Sequence, residues 1–319
     1  MPSEHIQWFP GHMAKTRRLI SDNLKNVHII IEVLDARVPV SSRNPDLRRL
    51  TGDKPTILLL NKSSLADPVK SRAFVERYTD DHTVCILCDC VTGEGINKLP
   101  SAIRRVLHER LERYEEKGQS GRHLRAMVVG VPNVGKSTLI NRMSGGVKTK
   151  AENRPGVTRN KQWVTTGLGL DLLDMPGVLW PKFEDQIIGE NLALTGAIRD
   201  DILDVERLGT ITVRRLRALY PAELATRYKL TDRDGWQNLS DYDLLTLIGR
   251  KRGCLISGGE VDTERAANLL LDEFRAGRIG RLTIDDLPDT PIEADGGEAT
   301  LSEAAEPRDT ADGAEVDDA

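Results

Sequence analysis

The segment AMVVGVPNVGKSTLINRMSG holds Gly130, four further residues, then Gly135-Lys136-Ser137, set between an apolar run and a helical pattern. That spacing suits phosphate chemistry. A glycine-containing turn lets backbone N–H groups and the N-terminus of the next helix converge on phosphate oxygens. Lys136 could then reach the β- and γ-phosphates and the Ser137 hydroxyl could ligate Mg2+, with Asn133, Val134, Gly135 and Thr138 completing the cradle. Such a loop alone does not separate a GTPase from an ATPase or a small-molecule kinase. Two later segments do. RPGVTRN offers Thr158 in a polar, glycine-containing loop, where a threonine could contact Mg2+ and the γ-phosphate. LGLDLLDMPG then ends an apolar strand with Asp174-x-x-Gly177. The acid can hold Mg2+ through water, and the Gly177 N–H can sense the γ-phosphate.

Base reading is expected from LLLNKSSLAD, residues 58–67, where an apolar run ends in Asn61-Lys62. Asn-Lys-x-Asp after a strand reads guanine in many GTPases, but here Ser64 stands at the position of the acid. Asp89-Cys90, at the start of DCVTGEG, occupies the role of the second base loop. Either Asp89 replaces the missing carboxylate, or it caps its own loop. Both base loops precede the phosphate loop, so the sheet reads as a GTPase domain with its halves exchanged. Such permutation is tolerated because domain termini lie at the surface and often close together.

The elements that must position these groups are short. Residues 27–34, 56–60, 83–88 and 124–129 are apolar runs of strand length, and helical patterns fill 69–78 and 97–117. Alternation of this kind predicts a mostly parallel α/β sheet. From 187 to 285 the patterns are helical, and Ala266, Ala267, Leu270, Leu271 and Phe274 line one helical face. The expected organisation is a permuted P-loop GTPase domain over 1–182, a smaller all-helical domain over 183–286, and an acidic tail over 287–319. From Pro288 onward eleven acids face one arginine, a net of −10 against −4 for the chain, so the rest carries +6. A segment with so few apolar residues cannot offset its ordering entropy and is expected to be disordered. The basic remainder permits a polyanionic partner without demanding one.

Hydrophobic content of 39% with only 4% aromatics suits an aliphatic α/β core. No apolar run is long enough to span a bilayer, and the N-terminus has no secretory apolar core, so a cytoplasmic protein is expected. Cys85, Cys88 and Cys90 are spaced like part of a metal knuckle, but a paired fourth ligand is lacking. With Cys254 they read as reduced, partly buried thiols.

The words WFPGHMAK (8–15), DARVPVSSRNP (35–45), GVPNVGKST (130–138), RPGVTRN (154–160) and DMPGVLWPKFED (174–185) resemble the ribosome biogenesis GTPase A family, the YlqF-type permuted GTPases. ENLALTGAIRDD (190–201) and FRAGRIGR (274–281) carry the resemblance into the helical part. It implies GTP hydrolysis in late maturation of the large ribosomal subunit. The implied partners are GTP or GDP and the precursor particle, with no membrane partner and a monomer off the ribosome. Two departures from the family pattern fall in the base loops, at Ser64 and at Asp89-Cys90.

In Ras-like enzymes a glutamine after D-x-x-G orients the attacking water; here the residue is Val178, which can do neither half of that task with its side chain. The resemblance assigns it to His12 in WFPGHMAK, whose imidazole could orient or deprotonate water. The plainer role for that stretch is an N-terminal packing clasp. Asn133 is of the kind that helps bind K+ in potassium-stimulated GTPases, or else it simply forms the turn after Pro132. An RNA-binding scaffold with structural nucleotide is the second functional reading, with Arg214, Arg215 and Arg217 as its basic face.

Overall fold

The computed structural model describes residues 11–80, 82–119, 123–145, 162–166, 169–180, 183 and 185–288, without the side chains of Gly11 and His12. Among the described residues the apolar runs form β1 (Ile29–Asp35), β2 (Thr56–Asn61), β3 (Thr83–Leu87), β4 (Leu124–Val129) and β6 (Leu170–Asp174), and a sixth strand that the sequence did not announce, the largely exposed β5 (Gln162–Thr165), joins them. They make one sheet in the order β3-β2-β1-β4-β6-β5, parallel except for the β5–β6 pair. All seven residues of β1 are buried, which is why its isoleucines form an unbroken run rather than an alternation. Register brings Asp35 opposite Asn61 and Val128 opposite Asp174, so the functional strand ends share one edge of the sheet.

Helices α1 (Gly11–Leu24), α2 (Pro45–Thr51), α3 (Pro68–Tyr78), α4 (Leu99–Val106), α5 (His108–Glu116) and α6 (Lys136–Met143) accompany the sheet. The single helix expected over 97–117 is two. Leu107, buried and with φ −103° and ψ 15°, interrupts it while its N–H still donates to the Ile103 carbonyl at 3.0 Å. No side chain of α5 is buried, so packing does not hold the second piece in line with α4.

Helices α7 (Gln186–Leu194), α8 (Val205–Leu219), α9 (Pro221–Tyr228), α10 (Asp241–Lys251) and α11 (Thr263–Arg275) form the helical part. The face expected on α11 is buried as read, from Ala266 to Phe274. The same helix buries an acid, Glu273. Arg227 donates to it at 2.9 and 2.6 Å, Arg252 at 2.8 Å and the Tyr228 hydroxyl at 2.9 Å. These partners hold its carboxyl below the usual range against its own burial.

After α11 the chain returns to the sheet as an irregular strap. Leu282 N–H donates to Leu65 O and Ile284 N–H to Arg37 O, both at 2.9 Å. Asp285 is buried and accepts from the Val40 and Ser41 N–H groups at 2.7 and 2.8 Å, from Ser41 Oγ at 2.7 Å and from Asn191 Nδ2 at 2.7 Å. One continuous apolar core runs from the sheet into the helical part. Among the described residues no helix is long and apolar enough to cross a membrane. The expected acidic tail lies outside the described residues save for Leu287 and Pro288.

Candidate functional site

β4 stops at Val129 and the chain turns through GVPNVG into α6, whose first residue is Lys136. Gly135 has φ +103°, and a Cβ there would stand 2.3 Å from Asn61 Nδ2, so both conformation and space require glycine. Lys136 Nζ is turned into the loop, donating to the Gly130 and Val131 carbonyls at 3.1 and 2.9 Å. Burial brings its pKa down to about 8, against the pull of nearby Asp174. Asp174 ends β6 only 1% exposed. Burial pushes its carboxyl up to about 6, with Lys136 and the Ser137 hydroxyl opposing. Ser137 is near enough to lower that pKa, yet neither carboxylate oxygen has a partner at full hydrogen-bond geometry among the described residues.

The loop after Asp174 seats on the phosphate loop. Val178 N–H donates to Gly130 O at 3.3 Å, and a Cβ on Gly177 would lie 2.7 Å from Pro132 Cα. Only glycine permits that approach. Val178 itself is core: it is buried, and its carbonyl accepts from Asn44 Nδ2 at 3.1 Å. Lys136, Ser137, Asp174 and Gly177 are therefore together. Thr158 lies outside the described residues. His12 lies in the first turn of α1, its side chain outside the description; the neighbouring Met13 sulfur accepts the Leu179 N–H at 3.5 Å. The start of α1 thus abuts the segment after Gly177.

The base loops meet the phosphate loop through one amide. Asn61 is buried; its Nδ2 donates to Val134 O at 2.6 Å and its Oδ1 accepts from Cys90 N–H at 2.8 Å. Lys62, with a left-handed φ of 63°, donates to Asp35 Oδ2 at 2.8 Å. Asp35 is also bound by Arg37 Nε and Nη2 at 2.9 and 2.7 Å. Burial alone would raise the Asp35 pKa, but these two cations hold it well below the usual carboxylate range. Ser64 and Asp89 are in direct contact, the Ser64 hydroxyl donating to Asp89 Oδ2. Asp89 Oδ1 accepts from the Val91 and Thr92 N–H groups at 2.8 and 3.0 Å, so it caps its own loop as well. Asp67, further along, points away and caps α3 through the Val69 and Lys70 N–H groups.

Sequence reasoning missed three residues that shape these loops. Asp35 anchors Lys62; it opened the word DARVPVSSRNP and stood as an acid at a strand end, but neither signal named its partner. Arg142 on α6 donates from Nε to Cys90 O at 2.8 Å and from a second nitrogen to Val91 O. Arg281 in the strap donates to Ser63 O at 2.9 Å and Ala66 O at 3.1 Å. Arg142 is marked by nothing local, and Arg281 only as the last residue of FRAGRIGR; neither role could be read, because each acts on backbone distant along the chain.

Asn133, also left-handed at φ 59°, donates from Nδ2 to Gly196 O at 2.8 Å, which ties the phosphate loop to the turn after α7. Of the arginines expected to form a basic face, Arg217 is bound to Asp241 and Leu239 O, and Arg214 faces Glu190 at 3.6 Å. Arg215 turns toward Asn191 Oδ1 at 3.5 Å. All four cysteines are buried free thiols, and burial pushes Cys85 up to about 12.

Residues 125–217 match the family described as the 50S ribosome-binding GTPase. Ribosome biogenesis GTPase A of Priestia megaterium is 44% identical over 282 residues, which cover 88% of this chain and 96% of that protein. The chain belongs to the ribosome biogenesis GTPase A family. It is a GTP hydrolase; the loops expected to read the base follow β2 and β3, and the expected phosphate loop follows β4. A more distant ribosome biogenesis GTPase A, from Thermotoga maritima, is 30% identical over 291 residues, 90% of this chain and 97% of that protein. The GDP-bound structure of YlqF overlays with a TM-score of 0.59 at 27% identity, covering 84% of this chain and 98% of that one. The GNP-bound YlqF of T. maritima gives 0.57 at 27% identity, covering 85% and 97%.

Proposed function

We propose that this GTPase is an assembly factor for late maturation of the large ribosomal subunit, binding the precursor particle and hydrolysing GTP faster on it. The observation that carries the reading is the loop from Asp174 to Gly177 packed onto the phosphate loop, with an acid whose two oxygens lack full partners beside Lys136 and Ser137. A buried, orphaned carboxylate is costly, and a hard dication with oxygen ligands answers that cost. The residues therefore fit Mg2+: Ser137 and Asp174 would hold it, with Thr158 as a further ligand. The ion supplies charge neutralisation between the phosphates. Lys136 carries the positive charge to the β- and γ-phosphates, and Gly177 N–H reports whether the γ-phosphate is there. Its close seat on Pro132 supports that role, because a shift of either loop must move the other.

His12 is proposed to position the attacking water, a reading supported by the start of α1 packing against Leu179 and by Val178 lying in the core. K+ is proposed as a second cofactor at Asn133, whose Oδ1 is the atom a cation would take. The protein is proposed to be cytoplasmic and monomeric off the ribosome, with a GTPase domain over 1–182 and an RNA-binding helical domain over 183–286. The scaffold reading is not favoured: its arginines Arg215 and Arg217 are committed to contacts within the fold.

GTP turnover measured with and without large subunits, in K+ and in Na+ buffers, tests the proposal. Subunits are expected to raise the rate, and His12→Ala to remove ~10²–10⁴-fold of the stimulated rate without weakening GTP binding. Absence of stimulation by subunits in both buffers rejects the assembly-factor reading.

A further inference from the structure

Position 64, where an Asn-Lys-x-Asp sequence carries its guanine-reading carboxylate, holds an exposed serine, and the acid stands one layer behind it. Asp89 belongs to the other base loop, 25 residues further along, and is 3% exposed. Its two oxygens are in distinct use. Oδ1 accepts from the Val91 and Thr92 N–H groups at 2.8 and 3.0 Å, and Oδ2 accepts from the Ser64 hydroxyl. Burial opposes ionisation, but the hydrogen bonds from Ser64 and from the Thr92 and Val91 amides outweigh it and hold the carboxyl below its usual range.

An ionised carboxylate has no proton to offer, so the direction of the Ser64–Asp89 bond is fixed. A free serine hydroxyl is a rotor that donates or accepts as its neighbour requires. Ser64 is not free in that sense, since its one proton is committed to Asp89. What its oxygen shows to the outside is lone pairs alone, polarised by the charge behind them. The guanine edge presents donors at N1–H and the exocyclic amine. Adenine presents an N1 lone pair at the same place, which would face another lone pair.

We propose that Ser64 and Asp89 together form the guanine-selecting element, the buried carboxylate taking the Ser64 proton and leaving Oγ an obligate acceptor for the base. The role of one aspartate is divided between an exposed oxygen that touches the base and a buried charge that sets its polarity. Asn61 keeps the two loops in register, because its Oδ1 holds Cys90 N–H next to Asp89 and its Nδ2 holds Val134 O. The inference rests on the GTPase assignment and adds to it the residues that choose the base. Asp89 is a positioning residue in this scheme, and Ser64 the one that touches the nucleotide.

Calorimetric titration of GDP and ADP into the full chain, the Asp89→Asn variant, the Ser64→Ala variant and the double variant tests it. In Asp89→Asn the carbonyl oxygen still caps Val91 and Thr92, but the amide donates to Ser64 Oγ and releases the hydroxyl proton to serve adenine. The ratio of GDP to ADP affinity is expected to fall about tenfold, the size of one lost hydrogen bond. Ser64→Ala should lower it as much, and the double variant no further, since the two residues act as one unit. Ser64 is exposed, so its alanine variant carries the test even if Asp89→Asn unfolds. A wild type that prefers GDP by a margin unmoved in both single variants overturns the pair alone. Equal GDP and ADP binding by the wild type overturns the guanine assignment itself.

Discussion

Asp174, proposed here as a Mg2+ ligand, works against the stability of the fold that carries it. Its folded-state pKa of about 6 lies above the ordinary 3.8, so the folded protein binds that proton more tightly than the unfolded chain. The associated stabilisation is complete below the ordinary value and is lost as pH rises through about 6. Near neutral pH the ionised carboxylate costs on the order of 3 kcal/mol. Asp174→Asn is therefore expected to raise the melting temperature of the nucleotide-free protein near pH 7.5, with the gain shrinking as pH falls below 6. The same variant should lose Mg2+-dependent GTP hydrolysis. A lower melting temperature at pH 7.5 would show that Asp174 is stabilised by neighbours rather than burdened by burial. Lys136, Ser137, Asp174 and Gly177 were legible in the sequence because each sits at a fixed offset from a strand end. For Asp89 two alternatives stood, replacement of the missing carboxylate or a cap on its own loop, and a bond to Ser64 was in neither. The structure gives Asp89 both the loop cap and the contact with Ser64, one to each oxygen.

Regular elements were legible for the same reason that motifs were: local repetition. The β1 isoleucines, the alternation of strands with helices and the apolar face of α11 all repeat within a few residues, and each stands where its pattern pointed. The strap from Arg281 to Asp285 has no repeat, so its role was invisible; its partners include Leu65, Arg37, Val40 and Ser41, more than 200 residues earlier. Left-handed backbone at Lys62 was equally hidden, because lysine does not announce a φ near 60°, whereas Asn133 sits where a turn-forming asparagine was read. Glu273 was hidden by its charge. Within an apolar helical face an acid reads as a boundary, yet it is 2% exposed and gathers α9, α11 and Arg252 into one cluster. Glu273→Ala leaves Arg227, Arg252 and the Tyr228 hydroxyl without their acceptor. A loss of ~3–5 kcal/mol in denaturant unfolding is expected, whereas an exposed ion pair would cost under ~1 kcal/mol.

At the scale of the whole molecule, the helical part touches the proposed nucleotide site from two sides. On one side Asn133 in the phosphate loop donates to Gly196 O, and Arg275 holds the same turn through Leu194 O at 3.0 Å and Ala193 O at 2.9 Å. Arg275 O in turn accepts from Arg37, which grips Asp35, which grips Lys62. On the other side the strap holds the base loop directly, through Arg281 on Ser63 O and Ala66 O and Leu282 on Leu65 O. Two truncations separate this coupling from the acidic tail. Ending the chain at Pro288 removes eleven acids less one arginine but none of the strap contacts, so melting temperature and GDP affinity should stay at wild-type values. Ending it at Gly280 removes Arg281, Leu282 and the Asp285 bonds to Val40, Ser41 and Asn191. Residues 63–66 then keep their own turn, the Ser63 bond to Cys88 O and the Ser64 bond to Asp89, but lose every tie to the strap and must be ordered further when the base arrives. Ordering a few backbone residues costs ~1–2 kcal/mol each, so GDP binding should weaken by at least ~10-fold. Arg281→Ala distinguishes loosening of the loop from general unfolding. It removes two hydrogen bonds from a partly exposed side chain, so it should weaken GDP binding several-fold while leaving the melting temperature within a few degrees of wild type. If calorimetry finds wild-type GDP affinity in both Arg281→Ala and the Gly280 truncation, the strap is a structural clasp and the base loop orders itself.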